Sequence, residues 1–136
     1  MNIEWSDRYS VGVKIIDDQH QYFIGLINEL FEALENREYS EKLDEILQKV
    51  LAYAEFHFKT EETLLESCNC PELQHQRNEH YKISHQLDSL AKKRDRVKKD
   101  LPFYYKIIAL LKGWLINHLT TDDQLYVAHL KDHGIS

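Results

Sequence analysis

Six residues of this 136-residue chain could do metal chemistry together, and what makes them notable is where they fall relative to the apolar positions around them. His57 and Glu61 stand four apart, and so do Gln76 and His80, so each pair shares one face of a helix. His57 and Glu61 continue the apolar series Leu43, Ile46, Leu47, Val50, Leu51, Ala54, Phe58, Leu64, Leu65. Gln76 and His80 fall within Leu73, Ile83, Leu87, Leu90 and Val97, and His118 extends Phe103, Ile107, Leu110, Leu111 and Trp114. His20 lies one turn before Phe23 and Ile24, which lead into Ile27, Leu30, Phe31 and Leu34. Four helices thus each put an imidazole on a buried seam, and one adds a carboxylate. An unpaired buried Glu61 would cost several kcal/mol after relaxation, and no lysine or arginine occupies a core position to neutralise it. A metal is the natural counter-charge. One core histidine alone is more often a hydrogen-bonded structural group; four with a carboxylate are a ligand set.

The elements that must position these residues are four helices joined by short breaks. The first opens at Asp17 or Asp18 as N-cap, and the break at Asn36 to Ser40 ends it, with Ser40 capping the second. The break from Ser67 to Cys70 precedes Pro71, which suits the first turn of the third helix, and Asp100-Leu101-Pro102 starts the fourth. Short connections make sequential helices antiparallel, so the expected fold is all-α, an up-down-up-down four-helix bundle. One domain spans residues 1–136: an extended N-terminal arm over 1–16 carrying Trp5, Val11 and Val13, a helical bundle over 17–131, and a short C-terminal helix. Asp123 is five residues from His118, about 140° around a straight α-helix, so on spacing alone it reads as a surface residue and faces the seam only if the helix breaks. Thr121-Asp122-Asp123-Gln124 reads as a capping box that would start such a new helix.

Composition narrows the function classes. A net charge of −6 disfavours nucleic acid as partner, since phosphate binding needs a basic surface. No apolar run approaches the roughly 20 residues of a membrane span, and the first residues do not read as a signal peptide. Cytoplasm is the expected compartment, in keeping with Cys68 and Cys70, too close for an unstrained disulfide. Zinc at Cys68, Cys70 and His75 is disfavoured by the spacing. His75, His85, His129 and His133 lie off the stripes or near the terminus and read as surface residues. The basic run Lys92-Lys93-Arg94, Arg96, Lys98-Lys99 reads as a solvated helix end.

The ordered set Trp5, Val11-Gly12-Val13, Ile16-Asp17, Gln19-His20, Asn28, His57-Phe58-x-x-Glu61-Glu62, Glu79-His80, Trp114-Leu115-x-x-His118 and Asp123-x-x-Tyr126 resembles the bacterial hemerythrins. The resemblance runs over nearly the whole chain. It implies a non-haem di-iron centre that binds dioxygen reversibly, for oxygen storage, delivery or sensing. It further implies that His20 and His57 hold one iron with an open position, and that position 76, His80 and His118 hold the other. Glu61 and Asp123 would bridge the two irons along with an oxo or hydroxo group. Phe58, Trp114, Leu115 and Leu119, adjacent to ligand positions, are expected to line a dry pocket for the gas. The alternatives are a di-iron enzyme with peroxidase, oxidase or nitric oxide-related activity, and an iron-binding or iron-sensing module.

The chain departs from the family pattern at Gln76, where a histidine is expected. His75 lies about 100° around the helix from that position and cannot replace it. Gln76 could ligate through its amide oxygen or leave a water in its place. Because glutamine is flexible, the expectation is that water wins and shortens the life of the oxygen adduct.

Overall fold

The computed structural model describes residues 2–37, 40–93 and 101–136. Helix α1 spans Lys14–Glu35, α2 Ser40–Ser67, α3 Leu73–Lys93 and α4 Leu101–Asn117, and a short α5 spans Val127–Asp132. Helix α1 packs on α2, α2 on α3, α3 on α4 and α4 back on α1, closing a four-helix bundle. Cross-helix contacts give the directions. His20 near the start of α1 meets His57 near the end of α2, and Tyr105 at the start of α4 donates to Glu35 at the end of α1. Neighbouring helices therefore run antiparallel.

The expected stripes form the core. Phe23, Ile27, Leu30, Leu34, Leu47, Val50, Ile83, Ile107 and Leu111 are all buried in one cluster. Tyr104 and Ile108, which the α4 stripe does not include, are buried too; the Tyr104 hydroxyl donates to Asp44 Oδ1 at 2.9 Å. That hydrogen bond is what lets a phenol sit inside the bundle.

Three local expectations are corrected. Helix α1 begins at Lys14, with Val13 at the N-cap, and neither Asp17 nor Asp18 caps it. Asp17 instead sits in the first turn and accepts from Ser10 Oγ at 2.5 Å and from the Val11 N–H at 2.8 Å, tying the arm to the helix. The chain between α4 and α5 does not break at a capping box. It stays helical as a π turn over His118–Asp122, then a 3₁₀ turn over Asp123–Tyr126, with no side-chain cap on either. Gln124 donates to the carbonyls of Leu119 and Ser10, at 3.1 and 3.2 Å, rather than reaching back to Thr121. Finally, Pro71 lies two residues before α3, in a turn that follows a Schellman end to α2. There the Cys70 N–H bonds Leu65 O at 2.9 Å, the Asn69 N–H bonds Glu66 O at 3.2 Å, and Asn69 takes the left-handed φ of 51° that this motif requires. The expected Ser40 side-chain cap, Val97, Asp100 and the basic run from Lys92 to Lys99 lie outside the described side chains.

The N-terminal arm packs against the bundle but ends at Val13, three residues before the expected boundary, and carries one 3₁₀ turn at Asp7–Tyr9. Asn28 holds it by a two-way amide clamp: the Ile3 N–H donates to Asn28 Oδ1 at 2.9 Å, and Asn28 Nδ2 donates to Ile3 O at 2.8 Å. Gly12, at φ 74°, supplies a left-handed bend between Val11 and Val13. Both valines are buried with Leu65, Tyr126 and Leu130, beneath the end of the bundle where the polar seam lies.

Candidate metal centre

Seven polar side chains are buried on this seam, each 3% exposed or less: His20, His57, Glu61, Gln76, His80, His118 and Asp123. They come from α1, α2 and α3 and from the π and 3₁₀ turns that follow α4. Among the described residues, donor atoms of His20, His57, Glu61 and His118 all lie within 4.8 Å of one another. The wide π turn is what adds Asp123. Its N–H bonds back five residues to the His118 carbonyl, so two residues five apart look inward together.

The two carboxylates sort the imidazoles into two pairs. Glu61 Oε2 lies 3.5 Å from His57 Nε2 and 3.8 Å from His20 Nε2, while Oε1 lies 2.9 Å from His80 Nε2 and 3.3 Å from His118 Nε2. Asp123 does the same, with Oδ2 3.1 Å from His20 Nε2 and Oδ1 2.9 Å from His118 Nε2. Each carboxylate gives one oxygen to each pair.

The outer partners decide which imidazole nitrogens carry protons. Thr60 Oγ1 donates to Phe56 O at 3.1 Å, so it accepts from Gln19 Nε2 at 3.2 Å. That leaves Gln19 Oε1 to accept from His57 Nδ1 at 2.9 Å, and His57 turns a bare Nε2 lone pair inward. On the other side Glu62 Oε2 accepts from His80 Nδ1 at 2.9 Å, which leaves the His80 Nε2 lone pair 2.9 Å from Glu61 Oε1. Two acceptors at that distance repel unless a cation or proton lies between them. Both Asp123 oxygens and His118 Nε2 also lack any hydrogen-bond partner despite their closeness. His57 Nε2 is met by His20 Nε2 at 2.9 Å, but the acceptor atoms of His80, Glu61, His118 and Asp123 crowd together with too few donors among them, which is what a cation site demands. The donor set, imidazole with carboxylate, suits iron.

The electrostatics follow from burial with opposed charges. Burial alone would raise the Glu61 carboxyl, but the His118 charge beside it, with the His20 and His57 imidazoles close by, holds it well below the usual range. Burial would lower His118, and the Asp123 and Glu61 carboxylates instead hold it well above ordinary histidine. His20 is raised by the same two carboxylates against its burial. His57 goes the other way, pushed down chiefly by burial. Burial and both carboxylates push the Tyr126 phenol well up, so it stays protonated and donates to Glu61 Oε2 at 3.0 Å.

The four expected lining residues divide. Leu115 and Leu119 are buried in the main core cluster. Phe58 and Trp114 belong to the ligands' support on the opposite half: Phe58 stacks on His80 with centroids 4.2 Å apart, and Trp114 stacks on His118 at 4.6 Å. These rings press flat against the His80–His118 pair, and Phe58 also reaches the other pair, its ring tilted against His57 with centroids 6.0 Å apart.

Gln76 is not the flexible side chain the sequence suggests. It is wholly buried, and its Nε2 donates to the Asp122 carbonyl at 2.8 Å. His75 is no bystander either, since its Nε2 lies 3.0 Å from Asp122 Oδ1, and His129 Nε2 bonds the Cys68 carbonyl at 3.0 Å. Sequence reasoning gave no role to Gln19, Thr60, Glu62, Asp122 or Tyr126. Adjacency of Gln19 to His20 and of Glu62 to Glu61 was the available signal, but a partner that crosses between helices has no local spacing rule.

A family model for the hemerythrin HHE cation-binding domain matches residues 11–130. The chain belongs to the hemerythrin family. Bacteriohemerythrin of Pseudomonas aeruginosa is 29% identical to this hemerythrin-family chain over 137 aligned residues, covering 99% of the chain and 85% of the relative. That of Clostridium acetobutylicum is 27% identical over 126, covering 90% and 97%. A crystal structure of wild-type hemerythrin superposes with a TM-score of 0.81 at 22% identity, over 93% of this chain and 95% of that one, so the bundle is shared. Among the described residues, no helix is long and apolar enough to cross a membrane.

Proposed function

We propose that this hemerythrin-family protein holds two non-haem irons and binds dioxygen reversibly. The observation that carries the reading is the division of Glu61 and Asp123, one oxygen of each toward His20 and His57, the other toward His80 and His118. Two carboxylates so divided suit two metals bridged between them, with His20 and His57 on one and His80 and His118 on the other. The irons, when bound, supply the two electrons and the open coordination position that dioxygen binding uses. The chain's residues supply the rest. Gln19 and Glu62 fix the tautomers of His57 and His80, and Tyr126 orients Glu61 by donating to it. Phe58 and Trp114 hold the second imidazole pair against rotation, and Leu115 and Leu119 help keep bulk water out.

The test is the visible spectrum of iron-loaded, reduced protein before and after exposure to air, with iron counted per chain. The expected result is two irons per chain and an absorption band that grows in air and disappears under inert gas over repeated cycles. One iron per chain, or irreversible oxidation on the first exposure, would sink the proposal.

A further inference from the structure

We propose that Gln76 is itself a metal ligand, through its amide oxygen Oε1, to the iron held by His80 and His118. The inference rests on the two-iron reading above. It is carried by four observations on the same side chain. Gln76 stands one helical turn before His80 on the inward face of α3, and it is completely buried. Its Nε2 is taken by the Asp122 carbonyl at 2.8 Å, which fixes which end of the amide is which. Its Oε1 is buried with no hydrogen-bond partner, an arrangement that is unfavourable unless something cationic or protic meets it.

An anchored amide differs from a free one. A mobile glutamine loses to water at a metal because the side chain must be ordered on binding. Here the ordering is already done by the Asp122 carbonyl, and the oxygen is the only polar atom of the amide left over. The anchor is itself braced, because His75 Nε2 lies 3.0 Å from the carboxylate of Asp122. The imidazole missing from position 76 is thus replaced by an amide oxygen, and His75 acts as its positioning residue one step removed. A neutral carbonyl oxygen is a weaker donor to ferrous iron than imidazole, so the iron at this half should leave first.

The test is iron stoichiometry and the kinetics of iron release to a ferrous chelator under anaerobic conditions. The parent chain, Gln76→Leu and Gln76→His would be compared, with the melting temperature of each metal-free form recorded. The parent should hold two irons and release them in two phases. Gln76→Leu should lose the fast-phase iron at least about tenfold sooner, leaving the other phase in place, while Gln76→His should merge the two phases toward the slower. A leucine variant that keeps two irons at the parent's rates overturns the inference and means that water, not the amide, fills the position. A parent holding fewer than two irons fails the two-iron reading, and this inference with it. If the leucine variant does not fold, the parent loaded with zinc at two ions per chain decides: the Gln76 side-chain carbonyl carbon resonance should move on metal binding, and an unmoved resonance overturns the inference.

Discussion

Asp123 Oδ1 lies 2.9 Å from His118 Nε2 although the two residues are five apart, a separation that sends side chains to different faces of an α-helix. The π turn over His118–Asp122 reconciles them by widening one turn of backbone. Both Asp123 oxygens remain without a hydrogen-bond partner. In the metal-free fold this carboxylate faces the His118 and His20 imidazoles, and bound metal would take their place as its counter-charge. Asp123→Ala is therefore expected to erase most of the difference in melting temperature between iron-loaded and metal-free protein. Calorimetry on both forms checks it; a variant with the parent's full iron-dependent shift would contradict the bridging role.

The outer partners should matter to affinity more than to folding. Gln19→Leu and Glu62→Leu each free an imidazole to rotate and to take the wrong tautomer. Each is expected to weaken iron binding by about 10–100-fold, read by competition with a chelator of known affinity. Because Gln19 serves His57 and Glu62 serves His80, the two losses should fall on different irons. Affinities equal to the parent's would show that packing alone orients the rings.

The Asn28 clamp on the arm should be separable from the metal centre. Asn28→Ala removes both hydrogen bonds to the Ile3 backbone and is expected to cost about 1–3 kcal/mol of stability. Urea unfolding of the metal-free protein measures it. Iron content should stay unchanged, and a variant that loses iron as well would place the arm in the service of the site.

The metal-free protein should lose stability as pH rises above neutrality. His118 is held well above its ordinary value of 6.5 in the fold, and His20 above it as well. Their contribution is fully present below about 6.5 and is lost as pH climbs through the raised folded values. His57, depressed by burial, acts only on the acid side of 6.5, where it opposes them. Glu61, depressed below 4.5, contributes above that value and weakens the fold as pH falls through its folded value. Iron-loaded protein should not share the alkaline loss, because metal replaces protons as counter-charge. Melting temperatures of both forms from pH 6 to 9 test this; parallel curves would be the contrary result.

Local helical geometry is why so much was legible in the sequence. A four-residue spacing brings two side chains to one face whatever surrounds the helix, so His57 with Glu61 and Gln76 with His80 announced a shared seam. Apolar periodicity likewise announced the bundle and placed His20 and His118 on its inner side. The relations that decide the chemistry are not local. The direction of each Glu61 oxygen depends on which helix faces it, and the partner of His57 sits on α1 while its brace, Thr60, sits on α2. The inward turn of Asp123 depends on a π turn rather than the cap that Thr121 and Gln124 suggested, because Gln124 found better acceptors in Leu119 and Ser10. Gln76 makes the same point most plainly. From sequence it was a flexible amide in place of an imidazole; only the Asp122 carbonyl, 46 residues away and brought beside it by the closing of α4 onto α3, fixes its nitrogen and leaves its oxygen free.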